Sequence, residues 1–139
     1  MDKKIYFETD LVAKLSKFLE VDGYSTLREV PNMGQSVDIV GVKDKCITLM
    51  EAKMDNWRRA LQQCKAHELV ADYICIGLAR KTSPPKLDEI ANETGLGIVL
   101  CDKESGICEW HIRPKRNRQI WEPQRKRLEN NLKENNNGS

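Results

Sequence analysis

Apolar residues recur at helical spacing near the start of the chain. Leu11, Val12, Leu15, Phe18 and Leu19 follow the 3.6 period, Thr9 or Asp10 is suited to cap the run, and Asp22-Gly23 ends it. From Tyr24 the pattern turns strand-like. Tyr24 to Val30 predicts a strand stopped by Pro31, and Asn32-Met33-Gly34-Gln35 predicts a loop. Two further apolar runs, Ser36 to Gly41 and Ile47 to Lys53, flank a turn at Lys43-Asp44-Lys45. Residues 55–70 lack Pro and Gly and place Trp57, Ala60, Leu61, Cys64 and Glu68 on one side, which predicts a second helix. Asp72 to Leu78 has the composition of a buried strand. Pro85 opens a short helix that Gly95 ends, and Ile98 to Cys101 and Ile107 to Ile112 form a hairpin around Glu104-Ser105-Gly106. The predicted order is α, three strands, α, strand, α and two strands, an α/β chain.

Three chargeable residues interrupt the two central strands. Asp38 and Glu51 are poor strand residues that cost free energy in an apolar run unless they are paired or bind a cation. Glu51 and Lys53 are two apart and share a face, and an antiparallel hairpin around Asp44 brings Asp38 near Glu51. The two carboxylates, with the Ala52 carbonyl as a third ligand, make a hard-oxygen site for Mg²⁺, and the Lys53 ammonium lies beside it. Metal and ammonium together suit the hydrolysis of a phosphodiester. The plainer alternative is a solvated strand end carrying a Glu51–Lys53 surface pair.

Two helix positions extend this set. Glu8 either shares the apolar face of the first helix, where it needs a partner, or is a first-turn acid favoured by the helix dipole. Gln63 falls at the rim of the second helix, beside Asn56 and His67; it either orients a water or phosphate or faces solvent.

Composition narrows the class. A chain of 139 residues suits one domain that buries its core without staples. The five cysteines are odd in number and lack Cys-x-x-Cys spacing, so they read as free, small hydrophobes in a reducing cytoplasm. Cys108-x-x-His111 has no second ligand pair for zinc. No apolar stretch reaches the length of a membrane span. The net charge of +2 is uneven: eight Lys or Arg against three acids from Arg113 onward leave residues 1–112 at −3.

The order of a Glu-bearing helix, a strand, an Asp strand, Glu51-Ala52-Lys53 and a helix carrying Gln63 resembles the PD-(D/E)xK nuclease superfamily. It is most similar to archaeal-type Holliday-junction resolvases and Mrr-like restriction endonucleases, on Glu8, Gly23-Tyr24, Ser36 and Glu51-Ala52-Lys53. The resemblance implies a single-domain restriction-endonuclease-like fold over residues 1–113, a central mixed sheet flanked by helices, with an αβββαβ core followed by a helix and a hairpin. It further implies a metal-dependent DNA endonuclease. Asp38 and Glu51 would be metal ligands for Mg²⁺, or Mn²⁺ in its place; Lys53 would orient the attacking water, Glu8 would complete the acidic cluster and Gln63 would assist. Val37 replaces the usual Pro before Asp38, and His67 stands where the exonuclease subgroup has Tyr or Lys.

Residues 114–139 read as a basic, partly disordered tail, since Pro114 and Pro123 break any long helix and the Asn-rich end looks frayed. Arg58, Arg59, Arg80, Arg113, Lys115, Arg116 and Arg118, with Trp121 to stack on a base, are the expected DNA contacts. Double-strand cutting suits a homodimer. The competing class is a non-catalytic module of the same fold that holds DNA or a protein.

Overall fold

The first helix is set up by a carboxylate inside it. In the computed structural model, which describes residues 4–137 and side chains through residue 134, α1 spans Glu8–Val21. Asp10 accepts the backbone N–H groups of Tyr6 and Phe7 at 3.0 and 2.9 Å, satisfying two donors before the first turn. The N-cap position itself is Phe7, rather than Thr9 or Asp10. Leu11, Leu15 and Leu19, spaced by four, are fully buried. Gly23, with φ +96°, takes the left-handed conformation just after the helix.

Three antiparallel strands follow: β1 Ser25–Asn32, β2 Gln35–Lys43 and β3 Cys46–Lys53. Both connecting turns have two central residues with positive φ, Met33-Gly34 and Asp44-Lys45, the backbone that matches the natural strand twist. The first strand does not stop at Pro31. It continues to Asn32, with Pro31 opposite Ser36. Because β1 is an edge strand, a residue without an N–H is tolerated there. Glu29, at φ +53°, is skipped by the ladder opposite Asp38.

The chain then crosses over through α2 (Trp57–Lys65) to β4 (Tyr73–Leu78), and through α3 (Pro85–Thr94) to β5 (Gly97–Cys101). Both crossovers produce parallel pairs, and β6 (Cys108–Ile112) closes the sheet antiparallel to β5. The six strands lie in sequence order. Alternation divides the core. Ile39, Met50, Cys75 and Val99 pack on α1, whereas Ile76, Leu78, Ile98 and Leu100 pack under α2 and α3. Among the described residues no helix is long and apolar enough to cross a membrane.

Three expectations need correction. Helix α2 ends at Lys65, five residues short of 70, and the chain then turns. Glu68, expected on the core side, is therefore exposed. The basic C-terminal segment is largely built into the fold: α4 (Glu122–Asn137) lays buried Leu128 and Leu132 against Val30, Val37, Val40, Ile47 and Leu49. Pro123 sits in its first turn, where no intrahelical N–H is needed. Residues 138 and 139 lie outside the described residues. Finally, the cysteines are not all free. Cys101 and Cys108 face each other across the β5–β6 ladder and form a disulfide, while Cys46, Cys64 and Cys75 remain thiols. A hairpin brings together residues that sequence spacing alone does not mark as a pair.

Candidate active site

The ladder between β2 and β3 runs from Lys43–Cys46 to Ile39–Met50 and stops. Beyond it β2 leaves β3, and Asp38 reaches across the gap to accept the Ala52 N–H at 2.8 Å. The N–H and C=O of one strand residue leave on the same edge, so the Ala52 carbonyl faces this gap too. Glu51 is fully buried and projects on the α2 face of the sheet, in register with Ile76. Lys53 has a side chain only 18% exposed, and its Nζ lies 3.7 Å from Glu8 Oε1. Asp38, Glu51, Lys53 and Glu8 thus converge. Glu8 is a first-turn acid that stays partly exposed and pairs with the Lys53 ammonium.

Burial pushes the Glu51 carboxyl up to about 9, and the neighbouring Asp38 carboxylate adds to this, against the opposing pull of Lys53. Its Oε2 is buried without a hydrogen-bond partner among the described residues. Its Oε1 lies 2.8 Å from Nε2 of His67, itself fully buried. Burial holds His67 down at about 4, against the opposing charge of Asp38, so the contact is a hydrogen bond of a neutral imidazole rather than an ion pair. Asn32 lies 3.0 Å from the other ring nitrogen.

His67 was expected at the rim beside Gln63. The early end of α2 breaks that helical phase and turns the imidazole inward. Asn32, expected in a loop, closes β1. Gln63 is half-buried with Oε1 unpartnered among the described residues, and Asn56 caps α2 by accepting the Arg59 N–H at 3.2 Å.

The expected DNA contacts divide. Arg58 is exposed and stacks over Trp57 at 4.1 Å, Arg59 bonds Gln62, and Arg80 lies 3.5 Å from Asp55. Arg113 lies over the Trp110 ring, Arg116 reaches Asp72 at 3.4 Å, and Trp121 is exposed. A cleft of about 810 Å³ is lined by Arg58, Lys65, Lys115, Arg116 and Arg118, among others. None of Asp38, Glu51 and Lys53 lines it, so it is a basic cleft distinct from the carboxylate site.

The donors at the gap are oxygens from Asp38, Glu51 and the Ala52 backbone. Among the described residues no three His, Cys, Asp or Glu side chains come together as a metal cage. Such a sparse set fits Mg²⁺, which is commonly held by one or two carboxylates and keeps several waters. The buried, unpartnered Glu51 Oε2 beside a second carboxylate is the atom such a cation would satisfy.

No protein-family profile and no curated protein matches the chain. Solved structures do. A protein of unknown function from Silicibacter pomeroyi superposes with TM-score 0.70 at 17% identity, covering 93% of this chain and 85% of that one. A repair endonuclease from Pyrococcus abyssi gives TM-score 0.54 at 19% identity, over 72% of this chain and 49% of that one. An XisH family protein from Nostoc punctiforme gives 0.52 at 15% identity, over 73% and 98%. The chain has a restriction-endonuclease-like fold, a mixed six-stranded sheet flanked by helices.

Proposed function

We propose that the protein is a metal-dependent DNA endonuclease that hydrolyses phosphodiester bonds. One observation carries this reading: Asp38 is tied to the backbone of the strand that presents Glu51 and Lys53, and a buried Glu51 oxygen there has no partner among the described residues. Asp38, Glu51 and the Ala52 carbonyl hold Mg²⁺ or Mn²⁺. When bound, the metal supplies Lewis-acid polarisation of the scissile phosphate and a more acidic water. Lys53, steadied by Glu8, orients the attacking water and offsets charge developing on the phosphate. Gln63 assists from α2. Arg58, Arg59, Arg80, Lys115 and Arg118 bind the DNA backbone, with Arg113, Arg116 and Trp121 at its margin. The likeness in fold to a repair endonuclease supports the reading. A homodimer in the cytoplasm completes it, each copy cutting one strand.

A second reading, a module of this fold that holds DNA without cutting, draws on the small ligand set, since one Glu51 oxygen is already occupied by His67. Cleavage of labelled duplex, single-stranded and four-way-junction DNA with Mg²⁺, Mn²⁺ or EDTA, beside Lys53→Ala, separates the two. Metal-dependent cutting lost in the variant supports the nuclease; binding without cutting on every substrate supports the module.

A further inference from the structure

Asn32, His67 and Glu51 form a buried chain of hydrogen bonds that joins the end of the edge strand to the site. Each of the three is at most 3% exposed, an expensive place for polar groups unless their bonds are specified. The chain has a direction. Asn32 Nδ2 lies 3.5 Å from the Ala66 carbonyl, which can only accept, so this end of the amide is its nitrogen. The same Nδ2 faces His67 Nδ1 at 3.0 Å, and Nδ1 must therefore accept. A neutral imidazole that accepts at Nδ1 carries its proton on Nε2, and Nε2 faces Glu51 Oε1 at 2.8 Å. His67 thus donates to Oε1 and leaves Oε2 as the uncommitted oxygen. Asp38 is held in the same manner, by the Ala52 N–H on Oδ2.

We infer that Asn32 and His67 are positioning residues for Glu51, fixing which carboxylate oxygen is offered to a divalent cation at the gap. The inference rests on the metal-dependent reading above. His67 touches neither substrate nor cation and acts through Glu51. Partners of this kind alter metal affinity by roughly 10–100-fold in known metal sites.

The test is Mn²⁺ binding by the full chain, followed by calorimetry, alongside thermal unfolding without metal. His67→Ala is expected to weaken Mn²⁺ binding at least about 10-fold. His67→Gln, whose amide nitrogen can reach the place of Nε2, is expected to restore most of it. A merely structural His67 would lower the unfolding temperature of the Ala variant and leave its Mn²⁺ affinity unchanged, which would overturn the inference while sparing the metal reading. Absence of Mn²⁺ binding by the wild type would overturn both. Nitrogen NMR of the wild-type ring needs no variant to fold: a proton on Nε2 supports the assigned direction, and a proton on Nδ1 overturns it.

Discussion

Arg125, on the C-terminal helix, donates to the Asp72 carboxylate at 3.0 Å and to the Val70 carbonyl at 2.9 Å. Asp72 is 3% exposed and also accepts the Ile47 N–H at 2.7 Å, while Arg116 approaches its other oxygen at 3.4 Å. Arg116, an expected phosphate contact, therefore faces a buried acid at the foot of β4 together with Arg125, which is itself largely buried.

Removing that acid should be costly. Asp72→Ala strands the Arg125 guanidinium and the Ile47 N–H, and breaking a buried pair in this way costs about 3–5 kcal/mol. Urea unfolding measures it; a loss below about 1 kcal/mol, the range of a surface pair, would mean that the contact does not anchor the helix.

The C-terminal helix should act on stability before it acts on DNA. Leu128 is 1% exposed among Val30, Val40 and Leu49, so Leu128→Ala is expected to cost about 2–5 kcal/mol, whereas exposed Lys126→Ala should stay within about 0.5 kcal/mol. Equal, small effects in thermal unfolding would show that α4 is not docked as described. Truncation before Glu122 should likewise expose the apolar surface that α4 covers and lower stability.

At the gap, Asp38→Asn is expected to reduce cleavage by about a hundredfold or more, because the electrostatic contribution of a catalytic metal is worth several kcal/mol. DNA affinity should hold or rise, since a carboxylate that repels phosphate is gone. Filter binding and cleavage on the same substrate distinguish the cases. Parallel loss of both would make Asp38 structural.

The pH dependence of stability in EDTA has a definite sign. The Glu51 carboxyl moves from its ordinary 4.5 up to about 9 on folding, so between those values the folded state holds more protons than the unfolded one. Its contribution is intact below about pH 4.5 and is lost as pH rises towards 9. His67, lowered from 6.5 to about 4, acts in the opposite sense: its contribution is lost as pH falls below 6.5. Between pH 7 and 9 the wild type should therefore lose stability relative to Glu51→Gln, and Mg²⁺ should reduce that slope. Parallel unfolding temperatures for the two proteins over this range would refute the assignment.

Local chemistry made much of the scaffold legible in the residues. Leu11, Leu15 and Leu19 recur on one helical stripe, Pro85 and Gly95 bound α3, and a two-residue spacing puts Glu51 and Lys53 on one strand; each signal acts within a turn or a strand. Asp38 could be placed near Glu51 because the Asp44 turn sets the hairpin register. What lay beyond such signals depends on packing between distant segments. Asn32 meets His67 35 residues away, and Arg125 meets Asp72 53 residues away, and neither pair has a period to announce it. A buried His and an exposed one look alike until the end of α2 is known, and Leu128 and Leu132 are sparse marks in a charged run until β1 and β2 offer an apolar face. Periodicity and turn chemistry are written in neighbouring residues, whereas burial is decided only when the whole chain closes over them, and burial is what turns His67 from a rim residue into a partner of Glu51.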